Sequence, residues 1–174
     1  MITLANDKPR SIIPGLGNIW AALEPLSPVI VRVTTGLLLV PHGAGKLFGA
    51  FGGYGLEGTA GWFESIGFAP GFLFALLIGL LEFVGGLMLT IGLLTRPVAA
   101  AVIAFMAVAV TIHLPNGYAW NNAGFEMPVF WGLMALSVLI RGGGKFDRLQ
   151  SRTLITLSLR HTGCHPGRPV WVCI

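Results

Sequence analysis

Charge is scarce in this chain. Asp, Glu, Lys and Arg make up 10% of its 174 residues, against 54% hydrophobic residues. A soluble domain carries about 25% charged residues, and so few charges cannot cover a water-facing surface of this size. Disorder is excluded by the same composition, because disordered chains are poor in apolar residues. Cysteine is scarce too: Cys164 and Cys173 both stand in the last stretch, too far apart for a CxxC redox motif and too few for a disulfide framework. The start, with Asp7, Lys8, Pro9 and Arg10 ahead of any long apolar run, does not read as a signal peptide. What is plentiful is apolar side chain, with a mean hydropathy of +0.78. The expectation is an all-α, multi-pass membrane protein of one domain.

Four apolar runs carry that expectation: Leu26 to Ala50, Gly71 to Leu94, Pro97 to Leu114 and Phe125 to Ile140. A spanning helix needs roughly 17–25 residues; the last two runs sit near the lower limit. Backbone in a bilayer must satisfy its own hydrogen bonds, so all four read as helices of a four-transmembrane-helix bundle. Lys8 and Arg10 precede the first run, Arg96 lies between the second and third, and a basic stretch from Arg141 to Arg168 follows the fourth. The positive-inside rule then puts both termini in the cytoplasm. The charges flank apolar runs and form no single stripe, so nucleic acid is not an expected partner; the lipid bilayer is. The predicted organisation is a cytoplasmic N-terminal segment over 1–25, a membrane domain over 26–148 and an atypical cytoplasmic tail over 149–174. In the first outer loop, Thr59 is expected to cap a short interfacial helix running to Ile66, with Trp62, Phe63 and Ile66 turned to lipid.

Polar groups at membrane depth are costly, about 2.5–3.5 kcal/mol each on insertion scales, and are therefore the clues to function. At about 1.5 Å per residue from the cytoplasmic end of each run, Arg32 lies about 9 Å deep, Glu82 about 18 Å, Glu126 about 21 Å, and His42 and His113 about 24 Å. Four helices thus bring Glu82, His42, His113 and Glu126 to similar depth. Gly79, Gly85 and Gly86 surround Glu82 at helical spacing and let a neighbouring backbone come close, which turns Glu82 inward. Lys46 shares a helix face with His42, four residues away. The plainer readings stand beside this one. Lys46 and Glu126 near helix ends could be interfacial residues satisfied by water, and Glu82 could form a structural pair with Arg32. His42 and His113 could in principle ligate haem, but there is no CxxCH motif and no HExxH, so haem is not the expected cofactor. His161, Cys164, His165 and Cys173 fit no standard zinc spacing.

The residues also carry a family resemblance. Arg32-Val-Thr-Thr-Gly36 with His42-Gly-Ala-Gly-Lys46, the loop Gly58-Thr-Ala-Gly-Trp-Phe-Glu-Ser-Ile-Gly67, Leu81-Glu-Phe-Val-Gly-Gly-Leu87 with Gly92-Leu-Leu-Thr-Arg96, and Ile112-His-Leu-Pro-Asn-Gly117 with Gly124-Phe-Glu126 resemble, in order and spacing, the DoxX family of small bacterial membrane proteins. The likeness runs from about Leu26 to Phe146 and stops beyond Arg148. It implies a four-helix protein of the bacterial inner membrane. Its relatives are linked with quinone reduction coupled to thiosulfate oxidation, with hydroquinone resistance and with complexes handling oxidative stress. Two functions follow as expectations. In the first, the chain is a redox-associated subunit acting on or near quinone. Glu82, His42, His113 and Glu126 would be the catalytic group, and Arg32 and Lys46 would hold the cofactor. In the second it is a non-catalytic accessory subunit that stabilises a larger membrane complex. Either way a protein partner or a homo-oligomer is expected.

Overall fold

The computed structural model describes residues 14–143. The N-terminal basic residues, the amphipathic alternative for Leu149 to Leu159, and the His/Cys group of the tail lie outside the described residues. Among the described residues the chain is helical, with no strand: α1 (Pro14–Leu23), α2 (Ser27–Phe48), α3 (Gly55–Ser65), α4 (Gly71–Leu80), a π-helical turn (Leu81–Gly85), α5 (Gly86–Ile91), α6 (Thr95–His113) and α7 (Glu126–Arg141). Three stretches are long and apolar enough to cross a membrane: Leu16–Phe48, Gly71–Ile91 and Thr95–Asn116. The stretch expected to be a cytoplasmic lead-in thus holds α1, which joins α2 through a turn at Glu24–Leu26. The fourth run forms α7, whose 16 residues extend about 24 Å, short of a hydrocarbon core of about 30 Å.

α2 is the hub. It packs on α4, the π turn and α5 along one side and on α7 along the other, while α6 closes the ring between α7 and the π turn. Glycine sets its closeness to the second helix. A Cβ on Gly43 would collide with the backbone of Phe83, and one on Gly36 with the carbonyl of Gly86. Further along, the Arg32 guanidinium lies against Gly92. These contacts fix an antiparallel register in which residue numbers fall on α2 as they rise on its partner. The apolar core joins Leu39, Leu89, Val98, Val102, Met106 and Val138. Outward faces are apolar as well: Leu37, Leu73, Leu77, Leu87, Leu133 and Ile140 are all exposed. Packing through small residues with aliphatic side chains turned out is what lipid as solvent favours.

The turn between α5 and α6 is tight. Gly92 and Leu94 both take left-handed φ, +79° and +47°. Leu94 is the N-cap, so Thr95 is already inside the helix and Pro97 is its third residue. α3 differs more. It begins at Gly55, so Thr59 lies inside the helix; it is buried and its hydroxyl reaches the Lys46 carbonyl at 3.5 Å. Phe63 turns inward, packed with Ala60 and Ala75, while Trp62 and Ile66 remain exposed. The reason is Gly71: with no side chain there, α3 lies directly on the start of α4, and Glu64 accepts the Gly71 N–H at 3.2 Å.

Candidate functional site

Glu82 sits in the π turn, 3% exposed. Its Oε2 accepts a hydrogen bond from Lys46 Nζ at 2.5 Å. The register explains the choice of partner. Gly43 lies opposite Phe83, so the next α2 turn presents Lys46 to Glu82. Arg32, the other candidate, is 14 residues earlier, about 21 Å along the axis. It is buried elsewhere, at the C-terminal end of α5, where helix carbonyls carry partial negative charge. Among the described residues its Nε and Nη1 have no hydrogen-bond partner.

The ion pair lines a cavity of about 210 Å³. Leu39, His42 and Lys46 enter from α2, Trp62 and Phe63 from α3, Glu82 from the π turn, Phe105 and His113 from α6, and Met127 and Trp131 from α7. His42 meets Trp131 edge-on, ring centroids 6.5 Å apart. The His113 Nδ1 lies 2.7 Å from the Ala123 carbonyl. A carbonyl only accepts, so Nδ1 carries the proton, and in the neutral ring Nε2 is left as an acceptor. A second cavity of about 420 Å³ adjoins the first and shares His42, Lys46 and Trp62 with it. Its far side is the glycine-rich segment from Ala50 to Tyr54.

Of the residues singled out from sequence, His42, Glu82, His113 and Lys46 thus share one cavity, while Arg32 and Glu126 do not line it. Glu126 is the first residue of α7 and folds back onto the loop that precedes the helix. Its Oε2 accepts the Trp120 N–H at 3.1 Å, and its own N–H reaches the Tyr118 carbonyl. The sequence reading missed the aromatic walls, Trp62, Phe105 and Trp131. Nothing in the sequence marked Phe105, or showed that Trp131 would turn to the cavity. Among the described residues no three His, Cys, Asp or Glu side chains gather as metal ligands.

The arrangement offers an ammonium, a carboxylate and two imidazoles inside apolar and aromatic walls. Such a site suits a flat, weakly polar ligand with hydrogen-bonding groups at its edge. Comparison with known proteins narrows the setting. No solved structure matches the chain. The "Inner membrane protein YqjF" of Escherichia coli (strain K12) is 30% identical over 133 residues, covering 75% of this chain and 96% of that protein. The "Putative oxidoreductase CatD" of Bacillus subtilis (strain 168) is 31% identical over 102 residues, 58% of this chain and 69% of that protein. The sequence model of the DoxX family matches residues 27–114, which hold α2 through α6 and with them Glu82, Lys46 and both histidines. On this evidence of sequence and span, the chain is a membrane protein of the DoxX family.

Proposed function

We propose that the chain is a quinone-handling, redox-associated subunit of the bacterial inner membrane, with the cavity around Glu82 as its quinone site. The observation that supports this best is the lining itself: Lys46, Glu82, His42 and His113 converge from three helical segments on one cavity walled by Trp62, Phe105 and Trp131. A quinone ring stacks on aromatic walls, and its two carbonyl oxygens need donors. Lys46 can donate to one, while Glu82 holds the ammonium in place. His113, with Nδ1 committed to Ala123, presents an acceptor for a quinol hydroxyl or, once protonated, a donor for a quinone carbonyl. Apolar exposed residues such as Met127 leave a lipid-facing side for an isoprenoid tail. When bound, quinone supplies two-electron, two-proton chemistry. The electrons come from a donor outside this chain, and its side chains place protons. The naming of the Bacillus relative as an oxidoreductase supports the same reading. In this account α7 is a fourth membrane helix and both termini are cytoplasmic, following the distribution of Lys and Arg.

The test is extraction of quinone from the full-length protein purified in polymer nanodiscs with its native lipid. Near-stoichiometric quinone, reduced by Glu82→Gln, supports the site. Quinone no richer than in the surrounding lipid contradicts it, and stoichiometric recovery of a larger complex without quinone enrichment points to the accessory role instead.

A further inference from the structure

Among the described residues, Lys46 is the one Lys, Arg, Asp or Glu that lines both cavities. Its side chain is 28% exposed, whereas the side chain of its partner Glu82 is 5% exposed and lines the inner cavity alone. The second cavity is bounded by the segment carrying Phe51 and Tyr54, which are 83% and 87% exposed. Going inward there is an open vestibule, an ammonium, a buried carboxylate in contact with it, and the inner cavity.

We propose that the Lys46–Glu82 pair is a proton relay joining the second cavity to the inner one. The step is a transfer with no change of oxidation state. The Lys46 ammonium gives a proton to the Glu82 carboxylate, the neutral amine takes a proton from hydronium in the second cavity and leaves water, and the Glu82 carboxyl holds the transferred proton for an acceptor in the inner cavity. One proton has then moved inward and Lys46 is restored. The reverse sequence carries a proton out. Lysine suits the role because an ammonium can lose its proton when desolvated, whereas a guanidinium cannot. The π turn supports the geometry, since such turns displace a side chain from its α-helical position and recur at functional sites. The groups facing the pair are His42 from α2, Tyr54 and Thr59 from the vestibule side, and His113 from α6; α7 contributes no charged group to the inner cavity. Building on the quinone reading, the relay gives the ligand a route for its protons to the side where the vestibule opens.

The experiment needs no quinone, so its outcome is independent of that reading. The full-length protein in nanodiscs is exposed to a flash-released proton from a caged compound, and the carboxylic C=O band of Glu82 is followed by time-resolved infrared spectroscopy. Glu82→Gln identifies the band by removing it. Lys46→Arg keeps the charge and the ion pair but cannot pass a proton, and Lys46→Met removes both. The relay predicts that the band rises at least tenfold more slowly in Lys46→Arg than in the wild type, and that Lys46→Met is slow as well. A wild-type rate in Lys46→Arg, or a wild type in which no band is lost with Glu82→Gln, overturns the proposal. Because Lys46→Arg retains the pair, the decisive comparison does not depend on Lys46→Met folding.

Discussion

Gly43 has no room for a methyl group, because the backbone of Phe83 occupies the place its Cβ would take. Gly61, on α3, has open space around it. Gly43→Ala should therefore destabilise the protein by about 1–3 kcal/mol, the usual cost of overpacking, while Gly61→Ala should stabilise it by up to about 1 kcal/mol, the helix-interior cost of glycine. Thermal unfolding in one detergent checks both; equal midpoints would mean that α2 and its partner can separate freely. A second pair of variants tests the site. Glu82→Gln should lower quinone retention, whereas Glu126→Gln, which keeps an oxygen to accept the Trp120 N–H, should leave it unchanged. Loss of retention in Glu126→Gln alone would put the ligand at the loop end. Much at this scale was legible from sequence. Glu82, His42 and His113 stood out because each is expensive in hydrocarbon, and the cost is a property of residue type and depth. The sequence left Arg32 open as Glu82's partner, whereas the structure pairs Glu82 with Lys46. Glu126 misled because depth fixes the distance along the axis and not which way a side chain points. Its carboxylate turns back instead to the N–H of Trp120 in the preceding loop.

The second helix is regular except at Leu81–Gly85, where the turn widens around Glu82. A π turn holds one residue more than the α turn it replaces. Deleting Val84, which is exposed, should let the helix close as α and rotate Glu82 by about 100° relative to Gly86. The expected result is a protein that still inserts and shows normal helical circular dichroism but no longer retains quinone. Normal retention would mean that the π turn has no part in placing the carboxylate. Nothing in the sequence announced this turn, because the glycines at Gly85 and Gly86 read equally well as contact residues in a straight helix. α3 shows the same limit. A short helix here was legible, but its start at Gly55 was not, and the facing of Phe63 depends on how α3 lies across Gly71, a tertiary contact. The helix-forming runs themselves were plain, since composition decides them in a bilayer.

Over the described residues, Arg32, Thr35, Thr59, Glu82 and Thr95 are buried with the apolar core while many aliphatic side chains face outward, and cavities lie at the end that carries the Ala50–Tyr54 segment. With Cys164 and Cys173 replaced, a single cysteine at Tyr54 should react with an impermeant maleimide in intact cells, and one at Arg141 should react once the membrane is opened. The reverse pattern would invert the topology and the direction of the relay. The central claim is that quinone occupies the cavity around Glu82. A photoreactive azidoquinone, irradiated with the full-length protein in nanodiscs and mapped by mass spectrometry, tests it most directly. The account predicts adducts on cavity residues such as His42, Trp62, Phe105, Met127 and Trp131, suppressed by excess unlabelled quinone and reduced in Glu82→Gln. Adducts spread over the outward faces, at residues such as Leu73, Leu77 and Leu133, and insensitive to unlabelled quinone, would contradict it.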